Sequence, residues 1–275
     1  MVLPYKNASD HGPPDMNGVV SVIPAYNEAR TLRAVVVGVL RHCPRVIVVD
    51  DGSTDGTAVS VADLPITLVR NPRNLGKAAS LWSGMRAALR HGASAVITLD
   101  ADGQHRPEDI PRFLALAQAH PREIITGSRL AEKAAFPRKR YIANKIANFW
   151  ISWAAGYAVD DSQCGFRLYP AGLLRRLDLR SEGFVLESEI LIQGAQRGCL
   201  SLFLPIPALY AGNARPSHFR AVKDIALITR MVARSLLSRW LYLPGLYRGV
   251  IRPQARQRKR IGANATEAPL HAPGA

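Results

Sequence analysis

Three short segments of this sequence place carboxylates beside small or polar residues, a combination suited to holding a hard cation. They read PAYNE at residues 24–28, DDGSTDG at 50–56 and DADGQH at 100–105. Carboxylates at positions i and i+2 of a tight turn can both point into one crevice, and hard divalent cations prefer such oxygen ligands. An Asp-x-Asp pair alone is weak evidence, because acidic residues also cap helices and form turns. The elements that carry the segments therefore decide their interpretation.

Each acidic segment directly follows an apolar stretch of strand length. Strands are predicted at 19–23, 46–49, 66–69, 95–99 and 124–126, and helices at 29–42, at 76–91 and from Pro107 to about residue 119. Apolar strands that alternate with helices predict an α/β fold, with a mostly parallel sheet covered by helices on both faces. Ligands of such sheets bind beyond the carboxyl ends of the strands. The three segments should therefore meet at one edge, where they would repel one another without a compensating cation.

Positive charge is concentrated at the end of the chain. The net charge over 275 residues is +15, and residues 215–275 carry 12 Lys or Arg against the two acids Asp224 and Glu267. Such a basic end favours a polyanion: anionic lipid, lipid phosphate or nucleic acid. Nucleic-acid binding would leave the three acidic segments without a purpose, so we do not expect a nucleic acid as the partner.

The cysteines and the apolar runs indicate the compartment. Cys43, Cys164 and Cys199 lie far apart without a CxxC pair, which argues against a zinc site or disulfide framework and favours a reducing compartment. Residues 1–17 lack the apolar core of a secretory signal. No run reaches the roughly 18 apolar residues that a spanning helix needs. We therefore expect a cytoplasmic protein that is peripheral on the cytoplasmic face of a membrane.

Together these segments resemble family 2 glycosyltransferases of the Rossmann-like GT-A fold, from about residue 19 to about residue 220. Within the family the likeness is to dolichol- or polyprenol-phosphate mannose (or glucose) synthases, through GSR at 127–129, CGFRLY at 164–169 and FVLESE at 184–189. The resemblance implies inverting transfer of a hexose from a nucleotide-diphosphate sugar, of the GDP-mannose or UDP-glucose type, to a polyprenyl or dolichyl phosphate. One alternative is a hydroxyl acceptor on a lipid or glycan, which would need Glu189 or Asp161 as base. A distant alternative is a basic nucleic-acid-binding protein without catalysis.

The resemblance also implies roles for the residues after the strands. Asp102, as a catalytic residue, and Gln104 would hold Mg²⁺ or Mn²⁺ against the diphosphate, where a Lewis acid stabilises the leaving group by several kcal/mol. Lys77 would neutralise phosphate, with a solvated position equally open. Asp55 is expected to cap the turn before residues 57–62. The donor would be bound by Pro24, Tyr26, Glu28, Val49, Asp51, Asp100 and Ala101.

Two arginines and a glutamate complete the implied site. Arg129 matches a family arginine that meets phosphate, and Arg167 lies in a segment found beside the acceptor; the fixed fork of arginine suits such binding. Surface salt bridging is the alternative for both. Glu187 and Glu189 cannot share a helix face. Glu189, which matches a family glutamate near the acceptor, is expected to be the one in the cleft.

A late loop departs from the family pattern. The synthases typically place a lysine after a serine there, whereas residues 212–220 read GNARPSHFR. His218 therefore takes the lysine position, and Arg215 precedes the serine by two residues. We expect Arg215 and His218 to bind substrate phosphate, with a pH dependence from the histidine. Packing of His218 in a turn is the alternative.

The predicted organisation has four parts. A flexible leader covers 1–17, a GT-A glycosyltransferase domain 18–214, a closing loop with amphipathic interfacial helices 215–251, and a basic, disordered tail 252–275. In the C-terminal amphipathic basic helical extension, apolar residues at 225, 228, 232, 236 and 240 fall on one side of a helix, which suits an anionic membrane surface. Residues 138–153 could dip into the same interface. A core-packing helix is the alternative for 221–243, and a separate membrane protein is a further partner considered.

Overall fold

The computed structural model of the chain describes residues 15–130, 138–179, 185–209 and 221–253. Its centre is one sheet of seven strands: β1 (Val19–Ala25), β2 (Val46–Asp50), β3 (Thr67–Arg70), β4 (Ala95–Thr98), β5 (Ile124–Ser128), β6 (Arg167–Pro170) and β7 (Ser201–Pro205). Their order across the sheet is β3-β2-β1-β4-β6-β5-β7. The five predicted strands are thus confirmed, while β6 and β7 were not predicted.

Helices cover both faces of the sheet, which confirms the predicted α/β class. They are α1 (Leu32–Leu40), α2 (Lys77–Arg90), α3 (Ile110–Ala119), α4 (Arg138–Ala155), α5 (Ala171–Leu174), α6 (Leu186–Gln196), α7 (Ala221–Leu237) and α8 (Leu243–Leu246). Successive strand side chains point to opposite faces. Val20 and Val22 of β1 therefore join a core with α2, α4, α6 and α7, whereas Val19 and Ile23 join a second core with α1 and α3.

Strand β6 is the one reversed strand of the sheet. It runs antiparallel to β4 and to β5, pairing Arg167 with Thr98 on one side and with Thr126 on the other. The other pairs (β1 with β2 and β4, β2 with β3, β5 with β7) are parallel. The segment that enters β6 consequently arrives at the edge of the sheet where β4 and β5 end, close to residues 100–105.

Helix α7 packs against the protein. Its residues Ile228, Val232 and Leu236 are buried in the core that contains α4, so for these three positions the core-packing alternative is the one observed. Trp240 does not continue the buried side and is 94% exposed. Left-handed backbone at residues 240–242 turns the chain there. Across the described ranges, no helix combines the length and apolarity needed to cross a bilayer.

Several of the predicted parts fall outside the structure. Residues 1–14 of the leader, 210–214 at the end of the predicted GT-A domain, 215–220 of the closing loop and 254–275 of the tail are not among those described. The predictions for Arg215 and His218 therefore stay predictions.

Candidate active site

The loops after β1 and β2 are joined into one wall of a site at the carboxyl edge of the sheet. The Asn27 N–H donates to Ser53 Oγ at 2.9 Å, and the Glu28 N–H donates to Thr57 Oγ1 at 2.8 Å. The backbone of Asn27 is left-handed (φ 55°), a conformation that asparagine tolerates better than most residues. Pro24, Tyr26 and Glu28 are each half-buried along this wall. The predicted meeting of the first two acidic segments is confirmed.

The carboxylate of Asp51 holds the turn that leads into α2. Its Oδ1 accepts from Asn71 Nδ2 at 2.8 Å and from the Leu75 N–H at 2.9 Å, while Oδ2 accepts from the Gly76 N–H at 2.8 Å. Asp51 is only 3% exposed. The structure thus gives Asp51 the task of positioning this turn, and direct contact with a nucleotide stays a prediction.

Asp55 caps the turn after β2, as predicted. Its Oδ1 accepts from the Thr57 N–H at 3.0 Å, and its Oδ2 accepts from the Ala29 N–H at 3.2 Å. Desolvation acts to raise the pKa of the Asp55 carboxyl, but a hydrogen bond from the Thr57 hydroxyl and the two backbone bonds hold that pKa below its ordinary value. Asp55 therefore serves the local fold of the wall.

A cationic group lies between two carboxylates beside the end of β4. Lys77 Nζ is 2.7 Å from Asp100 Oδ1 and 3.2 Å from Glu187 Oε1. Burial acts to raise the pKa of Asp100, but the neighbouring charge of Lys77 outweighs it and holds that pKa at about 2. Burial acts to lower the pKa of Lys77, and the two carboxylates raise it above its ordinary value. At neutral pH Lys77 and Asp100 are therefore both ionised.

Asp102 lies two residues further on the same turn and forms no ion pair with a described residue. Partial burial, the charge of Asp100 and that of Glu28 raise the pKa of Asp102 to about 6. Its Oδ1 accepts from the Gln104 N–H at 2.9 Å, and Oδ2 accepts no hydrogen bond within the described part of the chain. A carboxylate in surplus negative charge with an open oxygen fits a divalent cation.

Asp102 and Gln104, the two predicted metal ligands, fit a site in which substrate phosphates supply the other ligands. The half-buried Gln104 shares the turn of Asp102. Among the described residues no group of three or more His, Cys, Asp or Glu could hold a metal ion. Mg²⁺ is often bound by one or two carboxylates together with substrate phosphates instead of by an all-protein cage. Asp102 and Gln104 match that pattern.

The buried side chain of His105 holds the turn of residues 100–105 through a hydrogen bond. It is 4% exposed, its Nδ1 accepts from the Asp100 N–H at 3.3 Å, and its Nε2 is 3.8 Å from Cys164 Sγ. Burial lowers the pKa of His105 to about 4 despite the nearby charge of Asp100, so the imidazole is neutral at pH 7. His105 was not among the predicted site residues, although it closes the DADGQH segment.

Arg129 follows β5 and is held by a buried carboxylate. Its Nε and Nη2 lie 2.9 Å and 3.1 Å from the two oxygens of Asp161, and its backbone N–H donates to the same side chain at 3.2 Å. Because β4 and β5 run in the same direction, Arg129 follows its strand at the edge of the sheet where residues 100–105 also lie. Contact between Arg129 and a phosphate stays a prediction.

Asp161 is unsuited to the role of a general base. It is fully buried, and Arg129 and Asn144 both donate to it. Burial alone would raise the pKa of Asp161, but Arg129 holds it below its ordinary value. The hydroxyl-acceptor alternative therefore loses one of its two candidate bases.

The choice between the two glutamates of α6 was wrong. Glu187 is 6% exposed and reaches Lys77, whereas Glu189 Oε1 accepts from Gln193 Nε2 at 3.0 Å, one turn along the helix. Gln193 in turn donates to the Asp178 carbonyl at 2.6 Å. Because α6 begins at Leu186, the face that carries Glu187 is turned toward the end of β4, and Glu189 lies on another face.

The prediction that Arg167 binds the acceptor was also wrong. Arg167 is fully buried, and its fork donates to three backbone carbonyls, those of Cys164, Ser162 and Glu187, each at 2.7 Å. A guanidinium enclosed in this way cannot reach a substrate phosphate. It instead holds the segment before β6 and the start of α6 together.

Val49 and Ala101 belong to the core and not to the substrate site. Val49 is fully buried in β2 and packs on α2, where its Cγ2 would lie 2.9 Å from a Cβ at Gly84. Ala101 is 4% exposed and joins the core on the α1 and α3 side. Both residues were predicted because they lie in segments assigned to substrate binding. Their own side chains face the core, and the sequence does not show this.

Comparison with known proteins matches this geometry. Residues 21–180 match the family described as "Glycosyl transferase family 2". The chain is 30% identical over 199 residues to the polyprenol monophosphomannose synthase of Mycolicibacterium smegmatis, covering 67% of this chain and 75% of that protein. It is 29% identical over 213 residues to the UDP-N-acetylglucosamine--dolichyl-phosphate N-acetylglucosaminyltransferase of Methanococcus voltae, covering 69% and 84%.

A solved structure shares the fold. Glucosyl-3-phosphoglycerate synthase from Mycobacterium tuberculosis, in complex with UDP, superimposes with a TM-score of 0.58 at 20% identity, over 80% of this chain and 79% of that one. The same enzyme with Mn²⁺, UDP and phosphoglyceric acid gives a TM-score of 0.56. This likeness shows the GT-A type of fold, and the match over residues 21–180 shows the family. The chain is thus a member of glycosyl transferase family 2.

Proposed function

We propose that this enzyme transfers a hexose, with inversion, from a nucleotide-diphosphate sugar to a polyprenyl or dolichyl phosphate. The two relatives named above support the proposal. The name of one includes polyprenol, and the name of the other includes dolichyl phosphate. GDP-mannose and UDP-glucose are the two donor types that we propose. The proposal requires a site that binds two phosphate-bearing substrates and needs no strong base.

The observation that carries the proposal is the state of the candidate bases. Asp161 is buried and engaged by Arg129, and Glu189 is bonded to Gln193 away from the acidic turn. Asp100 is paired with Lys77. A hydroxyl acceptor would need a base to take its proton, whereas a phosphate acceptor is already an anion at neutral pH. The arrangement of these carboxylates therefore favours a phosphate as the acceptor group.

On the donor side, Asp102 and Gln104 would hold the metal. A bound Mg²⁺ or Mn²⁺ would supply Lewis-acid stabilisation of the diphosphate. Asp51 and its turn bring the amino end of α2 toward the site, and unsatisfied N–H groups at such an end favour anions. Lys77 adds positive charge while it orients Asp100.

On the acceptor side, Arg129 would orient the lipid phosphate. An oxygen of that phosphate attacks the anomeric carbon, and the bond from that carbon to the diphosphate oxygen breaks, so the nucleoside diphosphate leaves with the electron pair. Positioning and charge neutralisation supply most of the rate enhancement in such a transfer. The pairing with Asp161 preorganises the guanidinium for this task.

We further propose that the protein docks on the cytoplasmic face of a membrane through an exposed apolar surface on α4. A shallow, open surface on this helix is formed by Tyr141, Ile142, Lys145, Ile146, Phe149 and Trp150. Trp150 stacks on Trp153 at 5.5 Å, and Trp153 Nε1 donates to the Leu241 carbonyl at 2.9 Å. Through this bond the surface continues into residues 237–251, where six large apolar side chains are exposed and Arg239 and Arg248 lie among them. Aromatic and basic residues combined in this way suit an anionic headgroup layer.

The function is tested with the purified full chain, Mn²⁺, and labelled GDP-mannose or UDP-glucose supplied with a polyprenyl phosphate. We expect one donor to give a lipid product that mild acid cleaves, because sugar phosphates of polyprenol are acid-labile. A product that resists mild acid would point to a hydroxyl acceptor. Unchanged turnover in excess EDTA would contradict the metal assignment. A separate membrane protein as partner would show as activity that requires crude membranes.

A further inference from the structure

The segment between α4 and β6 supplies a carboxylate that holds the Arg129 fork. Within it Asp161 is fully buried. Its Oδ2 lies 2.9 Å from Arg129 Nε, and its Oδ1 lies 3.1 Å from Arg129 Nη2. The direction in which this carboxylate faces therefore sets the direction of the guanidinium.

One face of α4 holds this segment through buried polar side chains. Asn144, Asn148 and Ser152 lie one helical turn apart and are each 5% exposed or less. Asn148 Oδ1 accepts from the Ser162 N–H at 2.9 Å, and Ser152 Oγ accepts from the Val159 N–H at 3.0 Å. The three side chains thus bind the chain on both sides of the carboxylate. Polar groups buried this deeply are retained where their hydrogen bonds are made.

Asn144 contacts the carboxylate itself. Its Nδ2 donates to Asp161 Oδ1 at 2.9 Å, and the Gln163 N–H donates to the same oxygen at 3.2 Å. This is the oxygen that also faces Arg129 Nη2. Because a carboxylate can rotate about its bond to Cβ, a donor fixed on a helix restricts that rotation.

We propose that Asn144 is a positioning residue for Arg129, acting through Asp161. It fixes the carboxylate in the orientation that presents both oxygens to the guanidinium. The inference rests on the proposed function only in assigning Arg129 to the acceptor phosphate; the geometric relationship does not depend on it.

The test measures the rate at which the Arg129 Nε–H exchanges with solvent. In the full chain labelled with ¹⁵N-arginine, we expect the Arg129 Nε–H to exchange slowly with solvent, and Asn144→Ala to accelerate that exchange about tenfold, the size of one hydrogen bond to a charged group. Asn144→Asp keeps the size of the side chain and replaces the donor by an acceptor, so it should accelerate exchange further. Ser152→Ala is the matched control: it removes a buried bond from the same helix face without touching Asp161.

Activity separates this inference from the proposed function. In Asn144→Ala we expect the KM for polyprenyl phosphate to rise about tenfold with a smaller change in kcat, while the KM for the donor stays the same. Faster exchange with an unchanged acceptor KM would uphold the positioning role and contradict the assignment of Arg129 to the acceptor. Unchanged exchange in the Asn144 variants, or equal acceleration in Ser152→Ala, would overturn the positioning role. If neither Asn144 variant folds, rapid exchange of the Asn144 side-chain amide in the wild type would overturn it, and slow exchange would support it.

Discussion

Gly165 faces the carboxylate of Asp100 so closely that a side chain does not fit between them. A Cβ at position 165 would lie 2.6 Å from Asp100 Oδ2 and 2.8 Å from Oδ1. We expect Gly165→Ala to displace Asp100 from Lys77 and to lower kcat/KM roughly tenfold or more, since a misplaced charged group in a site costs on this scale. Steady-state kinetics with the productive donor would measure the loss.

Gly84→Ala is the contrasting variant. A Cβ there would meet Val22 Cγ1 and lie 2.9 Å from Val49 Cγ2 in the core under α2. Overpacking of this kind costs about 1–3 kcal/mol, so the free energy of unfolding should fall while kcat/KM of the folded fraction is retained. Wild-type kinetics of the Gly165→Ala enzyme would show that the Asp100 carboxylate can move aside without loss of activity, which would contradict the prediction.

Asp102→Asn should reduce transfer by roughly a hundredfold or more, the size of such electrostatic contributions. The amide keeps the shape of the side chain and can still accept from the Gln104 N–H, so the circular dichroism spectrum should not change. Titration with Mn²⁺, followed by thermal shift in the presence of GDP or UDP, should show weaker metal-dependent stabilisation of the variant. Asp55→Asn, a change at a capping carboxylate of the neighbouring loop, is the control.

The same substitution should stabilise the metal-free protein above pH 6. The pKa of Asp102 is raised to about 6 in the fold, against about 3.9 in an unfolded chain. Its contribution to stability is therefore fully present below about pH 4 and is lost as the pH rises through 6. The difference in melting temperature between Asp102→Asn and wild type in EDTA should grow over that window and then level off. A difference that is constant from pH 4 to 7 would contradict the raised pKa.

Lys77→Met should destabilise the fold by leaving two carboxylates without their cation. Removal of one partner from a buried ion cluster costs about 3–5 kcal/mol, and we expect roughly 2–4 kcal/mol here because Lys77 and Asp100 are partly exposed. Adding Glu187→Gln to Lys77→Met should recover part of the loss in urea denaturation. Adding Glu189→Gln should not, since Glu189 does not face Lys77. Equal recovery by both would argue against the pairing with Glu187.

Arg167→Met should lower stability without a specific effect on acceptor binding. The guanidinium satisfies three carbonyls in the interior, and each bond to a charged group contributes about 1.5–3 kcal/mol. Denaturant unfolding should therefore report a loss of several kcal/mol. If Arg167→Met had normal stability and a raised KM for the acceptor, Arg167 would bind the acceptor after all, and the structural role would be contradicted.

Trp240→Ser should weaken binding to anionic vesicles while leaving the fold intact, because this side chain is 94% exposed. A matched change in the core-facing part of the same extension, Leu236→Ser, should instead destabilise the protein, since Leu236 is 4% exposed. Co-sedimentation with phosphatidylserine vesicles measures the first effect. Unchanged sedimentation of a double variant, Trp240→Ser with Trp150→Ser, would show that the membrane contact lies elsewhere.

The sequence predicted the parallel half of the fold because periodicity and composition report it directly. The strands that become β1, β2 and β4 are apolar runs followed by acidic turns, and their convergence at one edge follows from the geometry of parallel strands. Strand β6 was not predicted because residues 167–169 also belong to the CGFRLY segment, which the family resemblance assigns to substrate binding. A reversed strand carries no signal of its own when a long connection precedes it.

Side-chain direction is what the sequence could not supply. The segment 164–169 was recognised, but whether Arg167 faced a cleft or the interior depended on the pairing of β6 with two neighbours. The choice between Glu187 and Glu189 likewise depended on where α6 begins and how it is rotated. A motif locates a segment, whereas only tertiary packing decides which of its side chains meet the substrate.

The reversal of β6 separates the two halves of the enzyme in a way that bears on its diversification. The loops after β1, β2 and β4 all leave the sheet in one direction, and the first two are hydrogen-bonded to each other, whereas residues 156–166 enter the same edge from the opposite direction and are anchored by α4. Changes of length or composition in that entering segment can therefore remodel one substrate's pocket while the other pocket keeps its scaffold. Chimeras that exchange residues 138–166 between relatives should accordingly alter acceptor preference and preserve the choice of nucleotide.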